Sequence, residues 1–425
     1  MLDIKAIREQ PKEIEKKLKS RDPDLSLERL LELDERRRKL IQEVETLKNQ
    51  RNKASDEIAR LKSAKHEADA QTRIREMRQI AGRIKALEGE LTVTEEELNG
   101  LLIGLPNLPH ESVPVSMRKE DKVIVREHKT KPTFEFEPKH HLDLGEALRI
   151  LDFPRAARIA GARFPLYKGW GARLEMALIN FFLDFHFAHA GYTPIFPPYL
   201  GNSETMFTAS QLPKFKDDVY YIEKDDLYLN PTAEALLCSL HRGEILEASQ
   251  LPLKYMAYTA CFRREAGAAG EEERGLIRMH QFNKVELFKF TRIENSFDEL
   301  ESLVRDAEAV LQALDLHYRV VLLPTGDIAA QSAKTYDLEV WIPSQKRYYE
   351  VSSCSHCTDY QARRGEIRYR PLPGAKPEFV HTLNGSGLAT SRLMSALLET
   401  NQRADGAVVI PEVLQDYVGE SVIRS

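Results

Sequence analysis

Residues 261–286 read CFRREAGAAGEEERGLIRMHQFNKVE. Alternating apolar and polar residues flank a loop of glycine, alanine and glutamate, the pattern of two strands joined by a hairpin loop. Arg263 and Arg278 fall on these strands, where a buried sheet seldom admits an arginine without a partner. A guanidinium fork suits phosphate oxygens and suits a carboxylate equally well, so the stretch alone leaves both partners open. It does decide the sheet. Strands joined by loops this short are antiparallel, because a parallel pair needs a crossover of about a dozen residues or more.

The same punctuation extends on both sides. Short β-rich runs, YTPIFPPYL (192–200), VYYI (219–222), LYLN (227–230), YRVVLL (318–323), YDLEVWI (336–342) and RYYEVSS (347–353), alternate with glycine and proline. Helical patterns lie near 141–150, 173–190, 232–242, 297–314 and 388–400. The spacing predicts an α+β domain over 141–425, an antiparallel sheet flanked by helices. Before it, Pro106, Pro109, Pro114, Pro132 and Pro138 mark a linker over 106–140 that continues into short extended pieces. Neither GxxxxGK[ST] nor GxGxxG occurs, so any phosphate is held by other means.

Residues 1–105 have a different texture. Proline is absent from Asp24 to Leu105, and apolar residues keep a heptad frame: Leu33, Leu40, Val44, Leu47, Ala54, Ile58 and Leu61, then Ile74, Met77, Ala81, Ile84, Leu91, Leu98 and Leu102. The polar stretch SAKHEADAQT (63–72) separates the halves. This predicts an antiparallel coiled-coil hairpin at about 27–101, about 50 Å long at the α-helical rise. Arg37 and Arg51 interrupt one seam, Glu88 and Glu95 the other. Lys48 to Lys85 carries eleven lysines and arginines against five acids. Such an excess fits a solvated coiled-coil surface or a contact with a phosphate backbone.

The bulk properties narrow the classes. The chain has 425 residues, a net charge of -5 and 30% charged residues, so nucleic-acid binding would have to be local rather than general. No run of 18 apolar residues spans a membrane. The N-terminus lacks a signal-peptide pattern, and four cysteines form no disulfide framework, which points to the cytoplasm. Three further stretches carry chemistry. Asn230–Glu234 (NPTAE) opens a helix, and Thr232 fits a plain N-cap. Tyr349–Cys357 (YEVSSCSHC) contains CxxC with a histidine, but a tetrahedral zinc site needs further ligands and no second CxxC exists. Asn384–Arg392 (NGSGLATSR) is a glycine-rich strand end entering a helix with an early arginine.

In order, GYTPIFPPYL, FRREAGAAGEEERGLIRMHQF and NGSGLATSR resemble motifs 1, 2 and 3 of class II aminoacyl-tRNA synthetases. SQLPKF, NPTAE, TGDIAAQSAKTYDLEVWIP and EVSSCSHCTDYQARR are similar to the seryl-tRNA synthetase family in particular, bacterial type. That family also carries an N-terminal helical hairpin, so the resemblance covers nearly the whole chain. It implies ATP-dependent activation of L-serine and its transfer to tRNA(Ser), and to tRNA(Sec) where present, by a cytoplasmic homodimer using Mg²⁺ and no zinc.

Residue by residue, the resemblance implies that Pro198 lies at the dimer interface. Arg263 would hold the α-phosphate, Glu265 the adenine end, and Phe282 would stack on the adenine. Arg278 and Arg392 would grip the outer phosphates, making Arg263, Arg278 and Arg392 the catalytic set. Arg264, Val351 and Ser352 join the ATP site, while Glu350 and Ser353 hold Mg²⁺ or neighbouring ATP groups. Thr232, Ala233, Glu234, Glu286 and Ser386 would line the serine site, with Glu286 reading the hydroxyl. Arg51, Lys53, Arg60, Lys62, Arg73, Arg75 and Arg78 would meet tRNA. The sequence departs from the family pattern at Arg264 and Ala268, where serines are expected. It departs again at Thr390–Ser391, where a small residue and glycine are expected.

Overall fold

The computed structural model describes residues 1–266 and 274–425. The glycine-rich loop and the departure at Ala268 fall mostly or wholly outside the described residues. The chain divides into two compact units, Leu2–Leu105 and, with Met1, Pro106–Ser425.

The first unit begins with two short helices, Ile4–Glu9 and Pro11–Lys19, followed by the long pair Glu28–Ser63 and Glu67–Gly104. The connection is tighter than the polar stretch 63–72 implied. Lys65 turns the chain with φ 62°, and the second helix starts at Glu67, burying Ala70 completely. Leu40, Val44 and Leu87 pack at the seam, with Leu47 and Leu91 beside them. Two of the charges that interrupt the seam meet each other: Arg37 pairs with Glu95 at 2.8 Å. Lys48 pairs with Glu88 at 2.7 Å, and Arg29 with Glu97 at 2.6 Å. The long helices are thus cross-linked at intervals by opposite charges, which helps specify the antiparallel register.

The second unit is built on an eight-stranded sheet. Its spatial order is Val123–His128, Tyr318–Leu322, Lys334–Ile342, Arg347–His356, His381–Ala389, Gln281–Thr291, Leu253–Phe262 and Thr193–Pro194. The pairs are antiparallel except the last, which is parallel. The edge strand Val123–His128 comes from the proline-marked linker stretch, where short extended pieces were expected but no place in the sheet. Its neighbour Tyr318–Leu322 supplies the pairing that its own sequence does not announce. Helices Trp170–Ala190 and Ser296–Ala313 bury Leu178, Phe182, Leu300 and Leu303 against Leu287, Val351 and Leu383 in the main core. A second core gathers Met206, Leu237, Ala257, Phe288 and Phe290.

Along Gln281–Thr291 the period of two does the sorting. Val285 and Leu287 enter the main core, while Phe282, Lys284 and Glu286 face a cavity. The two arginines are not inside strands as expected. Leu253–Phe262 stops one residue before Arg263. Gly275, at φ 69°, opens a 3₁₀ turn over Gly275–Ile277, so Arg278 follows a turn and the strand begins only at Gln281.

Candidate active site

The cavity has a volume of about 550 Å³ and is lined at one end by Arg263, Glu265, Arg278, Phe282, Glu350, Ser353 and Arg392. At the other end stand Thr232, Glu234, Lys284, Glu286, Gln331, Asn384 and Ser386. These residues come from five separated stretches, and the strand pairing explains how they converge. Thr259 pairs with Lys284 and Ala257 with Glu286. Glu286 in turn pairs with Ser386 on the adjacent strand.

Glu350 and Ser353 are three residues apart on one strand, a spacing that regular alternation sends to opposite faces. A bulge reconciles them. Glu350 pairs with Glu339 and Ser352 with Leu338, leaving Val351 as the extra residue. Val351 therefore drops into the core, and the Ser352 hydroxyl donates to the Ser386 carbonyl at 2.6 Å. In the NGSG stretch, Asn384 and Ser386 face the cavity. A Cβ at Gly385 would lie 2.8 Å from Cys354 Sγ, and one at Gly387 would lie 2.6 Å from His186 Nε2. The glycines are needed because neighbouring side chains crowd the strand from behind.

At the basic end the arginines are held by their surroundings. Arg263 sits 5.1 Å from the Phe282 ring centroid and donates Nε–H to the Pro231 carbonyl. Arg278 pairs with Glu265 at 3.1 Å. Arg392 Nη1 donates to both the carboxylate and the carbonyl of Glu350, at 2.8 and 2.9 Å. Opposite Ser353 in register is Asp337, whose carboxyl is pushed well above the usual range by burial and by the charge of Glu350.

At the other end Glu234 is buried and accepts from Gln361 at 2.7 Å, Asn384 at 3.0 Å and Gln331 at 3.3 Å. Burial, reinforced by Glu286, raises its pKa to about 7. Lys284 forms an ion pair with Glu286 and donates to Thr232 Oγ1 at 2.7 Å. Thr232 is also the N-cap of the helix Ala233–Cys238, accepting from the Glu234 amide. It thus caps the helix and lines the cavity at once.

Three side chains singled out in the sequence turn elsewhere, besides Val351 and Ser352 above. Arg264 lies over Tyr220 and donates to the Val219 carbonyl. Ala233 packs in the second core. Arg73 of the helical hairpin is engaged by both Glu57 and Glu76. Lys284, Gln331 and Asn384 were missed. Lys284 had a signal, being midway between Phe282 and Glu286 at strand spacing. Asn384 opens the quoted NGSG stretch, but Gln331 lies between elements and has no local pattern. Of the CxxC pair, Cys354 lies in the main core, and the Cys357 sulfur accepts from Asn384 at 3.7 Å.

A mostly antiparallel sheet with arginines on a strand-pair loop and at the start of a helix behind a glycine-rich strand is the plan of the class II synthetase core. Residues 215–401 match the family model described as tRNA synthetase class II core domain (G, H, P, S and T). Residues 1–109 match the one described as seryl-tRNA synthetase N-terminal domain. A serine--tRNA ligase of Desulfitobacterium hafniense is 53% identical over 423 residues, covering 100% of both chains. One of Carboxydothermus hydrogenoformans is 52% identical over 419 residues, 99% of this chain and 98% of its own. Among solved structures, seryl-tRNA synthetase from Pyrococcus horikoshii complexed with ATP superposes with a TM-score of 0.94 at 39% identity, covering 100% of this chain and 99% of that one. The chain belongs to the seryl-tRNA synthetase family.

Proposed function

We propose that the chain activates L-serine with ATP to seryl-adenylate and pyrophosphate, then transfers serine to the 3′ end of tRNA(Ser), and of tRNA(Sec) where present. The observation that carries this reading is the polarity of one cavity. Three arginines crowd one end, and a carboxylate–lysine–hydroxyl group occupies the other. The first suits phosphates, the second an amino acid with an ammonium and a hydroxyl.

Serine's carboxylate is already an anion at neutral pH, so its attack on the α-phosphorus needs no general base. Catalysis then rests on alignment and on neutralising the charge that builds on the phosphates. Arg263 takes the α-phosphate, Arg278 and Arg392 the outer phosphates, Phe282 the adenine face and Glu265 the adenine edge. Glu350 and Ser353 present hard oxygen donors to the cavity, which fit Mg²⁺. Bound there, the ion would neutralise phosphate charge. Thr232, Glu234, Glu286 and Ser386 receive serine. A buried carboxylate that bonds the substrate hydroxyl is left unpaired by alanine, which discriminates by about 10⁴ or more; threonine must be refused by crowding, a weaker filter.

The helical hairpin, residues 27–101, supplies the tRNA contact through its cations, reading RNA shape more than sequence. The enzyme works in the cytoplasm as a homodimer. Phe196 is 85% exposed two residues before the exposed Pro198, and Met176 and Phe187 expose further apolar surface of the kind a second copy covers. Pyrophosphate exchange with serine, threonine, alanine and glycine tests the activation step, and absence of serine-dependent exchange refutes it. Deleting residues 35–95 is expected to spare exchange and abolish charging; equal loss of both overturns the division of labour.

A further inference from the structure

His141 and Glu399 have no part in the chemistry above, yet both are completely buried and end at the turn that presents Arg278. Glu399 Oε1 accepts from the His141 amide and from His141 Nδ1, each at 2.9 Å, while Oε2 accepts from the Ser344 amide at 3.0 Å. With its proton on Nδ1, the ring offers Nε2 as an acceptor, and the Leu276 amide donates to it at 3.4 Å. Gly275 presses on the same atom: a Cβ there would lie 2.6 Å from His141 Nε2 and 2.8 Å from Leu142 Cδ2. The next residue of the turn is tied as well, since Arg392 Nε donates to the Ile277 carbonyl at 3.1 Å.

Arg392 and Glu399 are seven residues apart on the helix Thr390–Thr400, hence on one face and about 10 Å apart. That face grips the turn twice, directly through Arg392 and indirectly through Glu399 and His141. Arg278 leaves the turn immediately after the second grip. His140, His141 and Glu399 bring ligand atoms within 4.8 Å of one another, a spacing an ion could share. Both ring nitrogens of His141 are already engaged in hydrogen bonds, however, which favours a relay over a metal site.

We infer that His141 and Glu399 are positioning residues for ATP, fixing the Gly275–Ile277 turn so that Arg278 and Arg392 face the nucleotide together. The inference rests on the proposed reading of those arginines as phosphate ligands. His141→Asn keeps a donor near Nδ1 and removes the acceptor at Nε2, whereas His141→Gln restores an acceptor at the Nε2 position. In pyrophosphate exchange, His141→Asn is expected to raise the KM for ATP about tenfold, the scale of one buried hydrogen bond, with the KM for serine changed less than about twofold. His141→Gln is expected to recover most of the loss. Gly275→Ala removes no hydrogen-bonding group but drives a Cβ against His141 Nε2 and so displaces the turn from the ring; it is expected to act in the same direction, and carries the test where His141→Asn fails to fold. A parallel rise in both KM values, or an ATP effect that merely follows Tm across the variants, overturns the inference. Wild-type protein without serine-dependent exchange refutes the functional reading and this inference with it. Wild-type exchange with an unchanged KM for ATP in both His141→Asn and Gly275→Ala refutes this inference alone.

Discussion

Thr232 donates its hydroxyl proton to Glu286 across 2.6 Å, and it does so because both of its lone pairs are already used. One accepts from Lys284 Nζ and the other from the Glu234 amide. A hydroxyl has one proton and two acceptor sites, so its orientation is fully determined. Thr232→Val removes the donor and leaves Lys284 and Glu286 short of a partner. The KM for serine is expected to rise about tenfold to a hundredfold, that for ATP much less, with Thr232→Ser close to wild type. Steady-state exchange kinetics decide it; a valine variant with unchanged serine affinity removes Thr232 from the serine site.

Glu175 is buried, accepts from Asn283 at 2.7 Å and from Thr390, and has its pKa raised by burial from 4.5 to about 7. The folded state therefore keeps a proton between pH 4.5 and 7 that the unfolded state has lost. Its contribution is fully present below about 4.5 and declines as pH rises to about 7, on the order of 3 kcal/mol in all. Glu175→Gln mimics the protonated form. Its urea midpoint relative to wild type is expected to rise between pH 4.5 and 7 and to level off above, and a constant offset refutes the assignment.

All four cysteines are buried and free. Burial pushes the Cys354 thiol to about 12 and those of Cys238 and Cys357 well above their usual value. Thiolate is the reactive form, so native protein at pH 8 should be inert to Ellman's reagent, with four thiols appearing in denaturant. A metal-sensitive dye is expected to detect no zinc on denaturation. A rapidly reacting native thiol, or a stoichiometric zinc signal, contradicts this.

On the helical hairpin, Arg60, Lys62 and Arg78 make no ion pair among the described residues, whereas Arg73 is held by Glu57 at 2.8 Å and Glu76 at 2.7 Å. Reversing Arg60 and Lys62 to glutamate is expected to lower tRNA charging at least about tenfold and to flatten its salt dependence. Arg73→Ala should do less, and neither should alter pyrophosphate exchange. Charging assays from 50 to 200 mM salt check this; an equal effect of Arg73→Ala refutes the ranking.

Periodicity made the hairpin and the antiparallel sheet legible, because heptads and alternation are local. The cavity-facing side chains of Phe282, Glu286 and Ser386 were legible through the family resemblance, and strand alternation agrees with their placement. What escaped was whatever two distant segments decide jointly. The Val123–His128 strand exists because Tyr318–Leu322 lies beside it, and Val351 leaves the cavity because of a bulge. Gln331 reaches Glu234 from a stretch with no periodic pattern. Lys284 escaped for another reason: a buried lysine is read as surface until its carboxylate partner is seen.

The strand order has a consequence for how the chain is made. The helical hairpin needs nothing beyond Gly104, whereas the His381–Ala389 strand occupies the middle of the large sheet. Its neighbours on both sides must await its synthesis, about 285 residues after the hairpin is complete. At about 5–20 residues per second, a nascent chain carries a finished hairpin for roughly 15 to 60 s before its catalytic sheet can close. Over about the last 100 residues of that stretch the amphipathic strands near 253–291 have been made with their central partner still missing. Chaperone dependence during synthesis should therefore concentrate in the second half of the chain.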